Sequence, residues 1–213
     1  MYRNVHIITT SDAYIPIWGT YITTPVIHKD FAKVNIRTKV CLPENADPGL
    51  YTIETVIFDS SHKEIQKTKT SLTSLLYGDI SQEIVVKNPV LWSPNQPVLY
   101  TAKTFLYEGT TLKDQYSTPF GIRSIEIIPE KGFFLNGEKI VFKGVCNHDL
   151  GPLGAAVNDA AIRRQIRLLK DMGCNAIRTS HNMPAPELVK ACDEMGMMLM
   201  VESFDEWLSL IHI

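Results

Sequence analysis

The spacing of apolar residues changes its period once along this chain, near residue 120, and that change excludes any fold built from a single kind of element. Upstream, residues 31–42 alternate: Val34, Ile36 and Val40 fall on one face, and Lys33, Asn35, Arg37 and Lys39 on the other. A period of two sustained over that length marks a half-buried strand. Further β-rich runs cover 51–58, 80–86, 99–107 and 112–118. Turn-formers lie between them, at 43–49, Asp59-Ser60-Ser61, Tyr77-Gly78-Asp79 and Glu108-Gly109. Short strands with frequent punctuation and no helical stretch predict an antiparallel β-sandwich. Residues 1–22 carry an apolar pattern without evident partners, which predicts the end of an earlier domain.

Downstream the pattern is different. Asn136-Gly137 predicts a hairpin turn. Residues 139–145 form an apolar run suited to a strand buried on both faces. Asn158 or Asp159 can cap a helix whose Ile162, Ile166 and Leu169 fall at i, i+4 and i+7, with Gly173 as its stop. A second buried strand is expected at 175–179. Pro186 then opens a helix with Leu188, Val189, Cys192 and Met195 inward, ended by Gly196, and a third strand follows at 197–201. Strand, helix, strand, helix, strand predicts parallel βα units. Three strands cannot close a barrel, since a (β/α)₈ barrel needs roughly 250 residues.

Composition narrows the partners. Over 213 residues, 45% are hydrophobic and 21% charged, with a formal net charge of −2. No basic surplus points to nucleic acid or anionic lipid. No apolar run approaches the roughly 20 residues that span a bilayer, and the first residues lack the regions of a signal peptide. The compartment stays open between periplasmic, secreted and cytoplasmic. Cys41, Cys146, Cys174 and Cys192 show no CxxC pairing and sit beside apolar residues, so they read as small buried hydrophobes.

The chemistry-bearing residues gather at strand ends. Asn147-His148-Asp149 follow the first parallel strand. Arg178, Ser180 and His181 close the second, and Glu202, Asp205, Glu206 and Trp207 close the third. The C-terminal ends of parallel strands form one rim, where ligands bind. Each residue also has a plainer reading. His148 fits an ordinary loop, and His181 with Asn182 and Pro184 fits turn chemistry. Arg178, at the end of a buried strand, needs an acceptor, so a structural ion pair with a strand-end acid such as Glu202 competes with a role in binding. Trp207 fits a core as well as a platform for sugar C–H groups. A metal held by His148, Asp149, His181 and Glu202 lacks the ligand spacing that would support it.

At these residues the chain resembles glycoside hydrolase family 2. Asn175-Ala176-Ile177-Arg178-Thr179-Ser180-His181 is similar to the family's Asn-x-x-Arg-x-Ser-His segment. Gly132-Phe133-Phe134-Leu135-Asn136-Gly137 and Lys143-Gly144-Val145-Cys146-Asn147-His148-Asp149 resemble its lead into the barrel. Leu91-Trp92-Ser93-Pro94 and Phe120-Gly121-Ile122-Arg123 resemble its immunoglobulin-like domain and the junction that follows. Trp18-Gly19-Thr20 is similar to the end of its N-terminal sugar-binding domain.

The resemblance implies an internal fragment of a β-galactosidase or β-glucuronidase type enzyme, combining β and α/β domains. The expected parts are an N-terminal domain remnant at 1–22, an immunoglobulin-like antiparallel β-sandwich at 23–122, and the first three βα units of a truncated (β/α)₈ TIM barrel at 123–213. It implies retaining hydrolysis of terminal β-glycosides, β-galactosides first, by an acid/base glutamate and a nucleophile glutamate. The family places these near its fourth and seventh barrel strands. The 213 residues contain no Asn-Glu dipeptide, so neither catalytic glutamate is expected here and the fragment should be inactive. By the same resemblance, His148, Arg178, His181, Asp205 and Trp207 bind the carbohydrate substrate. Cys146-Asn147-His148 stands where the usual member has Asn-Arg-His, and the Asp149-to-Gly154 stretch also departs from the best-known β-galactosidases. A β-glucuronidase or β-mannosidase is therefore the alternative within the family, and a non-catalytic carbohydrate-binding module the alternative outside it. No metal or other cofactor, no nucleic acid and no membrane is expected. A homo-oligomeric parent is left open. Residues 208–213 do not resemble the family's continuation and read as non-native.

Overall fold

The computed structural model describes residues 4–72, 77–148 and 156–203. Seven strands build the first half: β1 (Thr20–Ile27), β2 (Phe31–Cys41), β3 (Tyr51–Phe58), β4 (Glu64–Ser71), β5 (Tyr77–Lys87), β6 (Tyr100–Glu108) and β7 (Thr111–Phe120). They form two antiparallel sheets, ordered β1-β2-β5 and β4-β3-β6-β7. This is the predicted immunoglobulin-like sandwich. The alternation in β2 turns Val34, Ile36 and Val40 inward, where they pack in two apolar clusters with Ile57, Ile84 and Ala102 and with Ile53 and Leu106.

A polar bridge crosses the sandwich core. Gln82 on β5 accepts from the Thr55 hydroxyl on β3 at 2.6 Å, and its amide donates to Thr70 at 3.1 Å and to the Ile53 carbonyl at 3.3 Å. Thr55 and Thr104 share a further bond of 3.2 Å. A buried amide satisfied on both its oxygen and its nitrogen adds specificity without an orphaned group.

Two expectations change here. Strand β4 was invisible in the sequence because it is an edge strand exposed along most of its length, so it has no apolar face to announce it; its lysines also discourage further strand addition. The domain boundary expected at residue 22 falls inside β1. Ala13 and Ile15 are buried with Val40, Leu42 and Leu106, and Tyr14 exchanges backbone hydrogen bonds with Cys41 at 3.0 and 2.9 Å. Residues 13–22 thus pack as part of the sandwich, through partners distant in sequence.

The second half begins with an antiparallel meander of β8 (Ile125–Ile128), β9 (Gly132–Leu135) and β10 (Glu138–Lys139). Its tight turn is the predicted one, with Asn136 at φ 54° and Gly137 at φ 79°, the left-handed pair that a two-residue hairpin of this twist requires. Then come β11 (Gly144–Asn147), α1 (Asp159–Asp171), β12 (Ala176–Thr179), α2 (Pro186–Met195) and β13 (Met198–Met200). The three strands are parallel, ordered β11-β12-β13, with Cys146 beside Arg178 and Arg178 beside Met200. Asn158 caps α1, its side chain accepting from the Ala161 amide at 2.9 Å.

Helices α1 and α2 cover one face of this sheet, burying Ile162, Ile166, Leu188, Ala191 and Cys192 against Ile177 and Met197. Val189, expected inward, is 37% exposed. The packed stripe is instead 188, 191, 192 and 195, the i, i+3, i+4, i+7 set that a helix presents to one side. The strand expected over 139–145 starts only at Gly144, and Val141 and Phe142 remain 65% and 46% exposed. The Asn175 carboxamide occupies the place of a neighbouring strand there. It accepts from the Lys143 amide at 2.9 Å and donates to the Val141 carbonyl at 3.0 Å.

The two halves meet at Trp92, which is fully buried. Its indole N–H donates to the Asp193 carbonyl at 2.8 Å, and its own carbonyl accepts from Asn136 at 3.0 Å. The Arg123 guanidinium lies 4.8 Å from the ring centre. Beside it, the Lys170 ammonium donates to the carbonyls of Pro94 at 2.9 Å, Met195 at 2.6 Å and Gly196 at 3.2 Å. Gly196 closes α2 at φ 73°, and a Cβ there would lie 2.3 Å from the Pro94 carbonyl oxygen. Gly196→Ala therefore meets both a left-handed backbone and a backbone collision. The expected outcome is a loss of more than about 1 kcal/mol, read as a lower denaturant midpoint. Gly109→Ala, with φ 59° but open space around it, should cost less.

Candidate functional site

The parallel register delivers the site. Side chains alternate along β12, so Ile177 enters the helix-covered core while Ala176 and Arg178 line the opposite side. Arg178 then reaches across to β13's end, where its Nε and Nη2 both lie 2.5 Å from Glu202 Oε1. The other carboxylate oxygen, Oε2, is 2.9 Å from His181 Nδ1. The third arm of the guanidinium, Nη1, donates to the Cys146 sulfur at 3.4 Å. Thr179 completes the frame by accepting from the Glu202 amide at 2.9 Å. The His148 ring stands edge-on to His181, with centroids 5.8 Å apart. The Ser180–His181 peptide is cis.

Charge is balanced inside this cluster. Partial burial works to raise the pKa of Glu202, but hydrogen bonds from His181 and Arg178 outweigh it and hold the carboxyl below its usual range. The Cys146 thiol is lowered, first by the Arg178 guanidinium and then by the Ser180 hydroxyl. Arg178 is held more firmly protonated by Cys146 and Glu202. Below the rim, a cavity of about 660 Å³ lies against the parallel strands and reaches Val189, Cys192 and Asp193 of α2. Cys146 and Arg178 line it near the rim, Phe133 and Phe142 along its side, and Trp92 and Asp193 towards the joint. Among the described residues, no group of three or more His, Cys, Asp or Glu side chains is placed to hold a metal ion, and no helix is long and apolar enough to cross a membrane.

Of the residues singled out from sequence, the structure brings His148, Arg178 and His181 together. Asp205 and Trp207 lie outside the described residues. The acceptor that Arg178 demanded is Glu202, so the plainer ion-pair reading and the site reading describe the same atoms. Two members of the frame were missed. Cys146 is exposed rather than buried, and Thr179 carries a hydrogen bond that strand periodicity does not announce. The signal for Cys146 was its position at the end of a strand parallel to β12, directly beside Arg178.

An antiparallel sandwich docked against the first parallel strands of an α/β barrel, with an arginine, a glutamate and two histidines at the strand-end rim, defines the class. The chain belongs to glycosyl hydrolases family 2: residues 14–123 match the profile of Glycosyl hydrolases family 2 and residues 126–211 that of its TIM barrel domain. It is 40% identical over 210 residues to the β-galactosidase BoGH2A of Bacteroides ovatus, a match covering 97% of this chain and 25% of that protein. A crystal structure of a family 2 member from Bacteroides cellulosilyticus superposes with a TM-score of 0.86 at 36% identity, covering 93% of this chain and 26% of that one. The β-glucuronidase 2 of Bacteroides uniformis, solved covalently bound to cyclophellitol-6-carboxylate aziridine, superposes with a TM-score of 0.77 at 30% identity, covering 89% of this chain and 24% of that one. The chain thus spans about a quarter of the length of the relatives it matches.

The depressed pKa of Glu202 carries a sign. A carboxyl lowered by folding contributes stability above its unfolded pKa, and that contribution is lost as pH falls through the folded value. Acidification below about pH 4.3, the ordinary glutamate value, should therefore destabilise the parallel unit. Glu202→Gln should flatten that part of the profile while lowering stability at neutral pH. Denaturant midpoints measured at several pH values in the two proteins check both effects. Parallel profiles would remove Glu202 as the titrating group.

Proposed function

We propose that this chain is a piece of a retaining β-glycoside hydrolase acting on terminal β-galactosides, and that it supplies one wall of the sugar pocket. The observation that carries this reading is the convergence of Arg178, Glu202, His181 and His148 at one strand-end rim. In the proposal, His148 and His181 contact sugar hydroxyls, Arg178 orders the carboxylates of the site, and Asp205 and Trp207 extend the same wall. The B. ovatus relative is named a β-galactosidase. The covalent complex of the B. uniformis relative supports a route through a covalent intermediate.

Retaining hydrolysis needs two carboxyl groups about 5–5.5 Å apart, one to protonate the leaving oxygen and one to attack the anomeric carbon. Glu202 suits neither role. Both its oxygens are held, one by Arg178 and one by His181, and a depressed pKa disfavours a general acid. It reads as a group that orients its neighbours. With no Asn-Glu dipeptide in the sequence, the proposal places the acid/base and the nucleophile outside these 213 residues.

The β-glucuronidase alternative draws support from the B. uniformis relative. A uronate carboxylate calls for a free cation, however, and Arg178 already spends its charge on Glu202. In this reading Arg178 is therefore not the group that would hold a uronate.

The purified 213-residue chain is expected to give no hydrolysis of an aryl β-galactoside above the blank, and turnover would overturn the division of roles proposed here. A gene encoding this segment within a longer frame should add an Asn-Glu dipeptide at a fourth barrel strand and a second glutamate near the seventh. A longer frame lacking both would remove the glycosidase reading.

A further inference from the structure

The four thiols of this chain occupy unlike surroundings. Cys192 is buried between helix and sheet, and burial pushes its pKa up to about 12. Cys41 and Cys174 are half-buried. Cys146 alone is exposed, at the end of β11, with its sulfur 3.4 Å from Arg178 Nη1. A guanidinium at that distance stabilises the thiolate, which is the nucleophilic form.

A second feature points at the same sulfur. The Ser180 side chain is 2% exposed and its hydroxyl has no hydrogen-bond partner of normal geometry. It nevertheless lies close enough to Cys146 to favour the thiolate. Ser180 is one of five buried hydroxyls without a partner among the described residues, and the one of them that acts on the exposed Cys146 thiol. An oxygen atom on that sulfur would have two donors beside it, the hydroxyl of Ser180 and the guanidinium of Arg178.

We infer that Cys146 is a site of two-electron oxidation by hydroperoxides, with Arg178 and Ser180 holding the oxygen that is gained. The thiolate sulfur attacks one peroxide oxygen and the O–O bond breaks. An S–O bond forms, and the departing oxygen leaves as hydroxide or alkoxide and takes a proton from water. The sulfur loses two electrons, the peroxide gains them, and the product is a sulfenic acid, the reversible first step of thiol oxidation. The thiol chemistry stands without the glycosidase reading. Its consequence rests on that reading: an oxygen placed between the sulfur and Arg178 changes the rim at which the sugar is proposed to sit.

The test uses the purified chain, treated with hydrogen peroxide and then dimedone, with labelling followed at each cysteine by peptide mass spectrometry. Cys146 is expected to label about tenfold faster than Cys41 and Cys174, with Cys192 protected. Ser180→Ala and Arg178→Lys should each slow labelling at Cys146 by about threefold or more and raise the pH midpoint of its alkylation by iodoacetamide. Protection of Cys192 shows in each variant that the helices still pack. If a variant exposes Cys192, the rate order in the unaltered chain decides. Equal rates at Cys146, Cys41 and Cys174 overturn the inference, as do an unchanged rate and midpoint in both variants. Slower labelling under methyl β-galactoside supports the sugar pocket, whereas unaltered labelling counts against that pocket and leaves the thiol site standing.

Discussion

Three parallel strands in register are the constraint on which the site depends. Parallel pairing aligns strand ends, so whatever follows β11, β12 and β13 must arrive at the same edge of the sheet. The helices fix which face of each strand is buried, and the alternation of side chains fixes the rest. Ile177 must go to the helices, and therefore Arg178 must not. A guanidinium placed there has to find acceptors, and Glu202 and Cys146 are the groups that the register offers. The cluster follows from the sheet.

The second constraint is the joint. Trp92 and Lys170 bond mainly to carbonyl groups of the backbone rather than to other side chains. Backbone partners are available whatever side chains surround them, and they demand close approach. Gly121 and Gly196 permit that approach on either side, since a Cβ at Gly121 would lie 2.8 Å from the Trp92 Cβ. The sandwich is thereby set against the C-terminal end of α2, on the side of the sheet remote from the rim. The Arg178–Glu202 cluster and the domain joint occupy opposite ends of the same short strands.

Where the sequence was legible, a periodic signal coincided with burial. Strand β2, the cap at Asn158, the Asn136-Gly137 turn and the stop at Gly196 each have a local physical cause, and each is where the pattern placed it. Strand β4 has no buried face and so left no signal. The partners of residues 13–15 are remote in the chain, and composition cannot show that. Val189 and Val141 show the limit of hydrophobicity as a guide: both are apolar and both are exposed, because neighbouring residues already fill the packed stripe or the hydrogen-bonding edge. At the rim, residue type singled out His148, Arg178 and His181, which the structure brings together. An arginine at the end of a buried strand calls for a nearby acid, so its pairing with Glu202 is legible, but the exposure of Cys146 requires the register of the sheet.

Asn175 gives the short strand β12 its other end. Its amide and carboxamide tie down the start of the β11 segment, while its carbonyl accepts from the Met198 amide at 2.9 Å. Three residues later the same strand presents Arg178. At roughly 3.3 Å per residue, Asn175 and Arg178 are the two ends of a ruler about 10 Å long. The Asn-x-x-Arg spacing is then a statement about length and handedness rather than about two independent functions. One residue added between them would turn the arginine towards the helices, and two would restore its direction but carry it beyond its carboxylate.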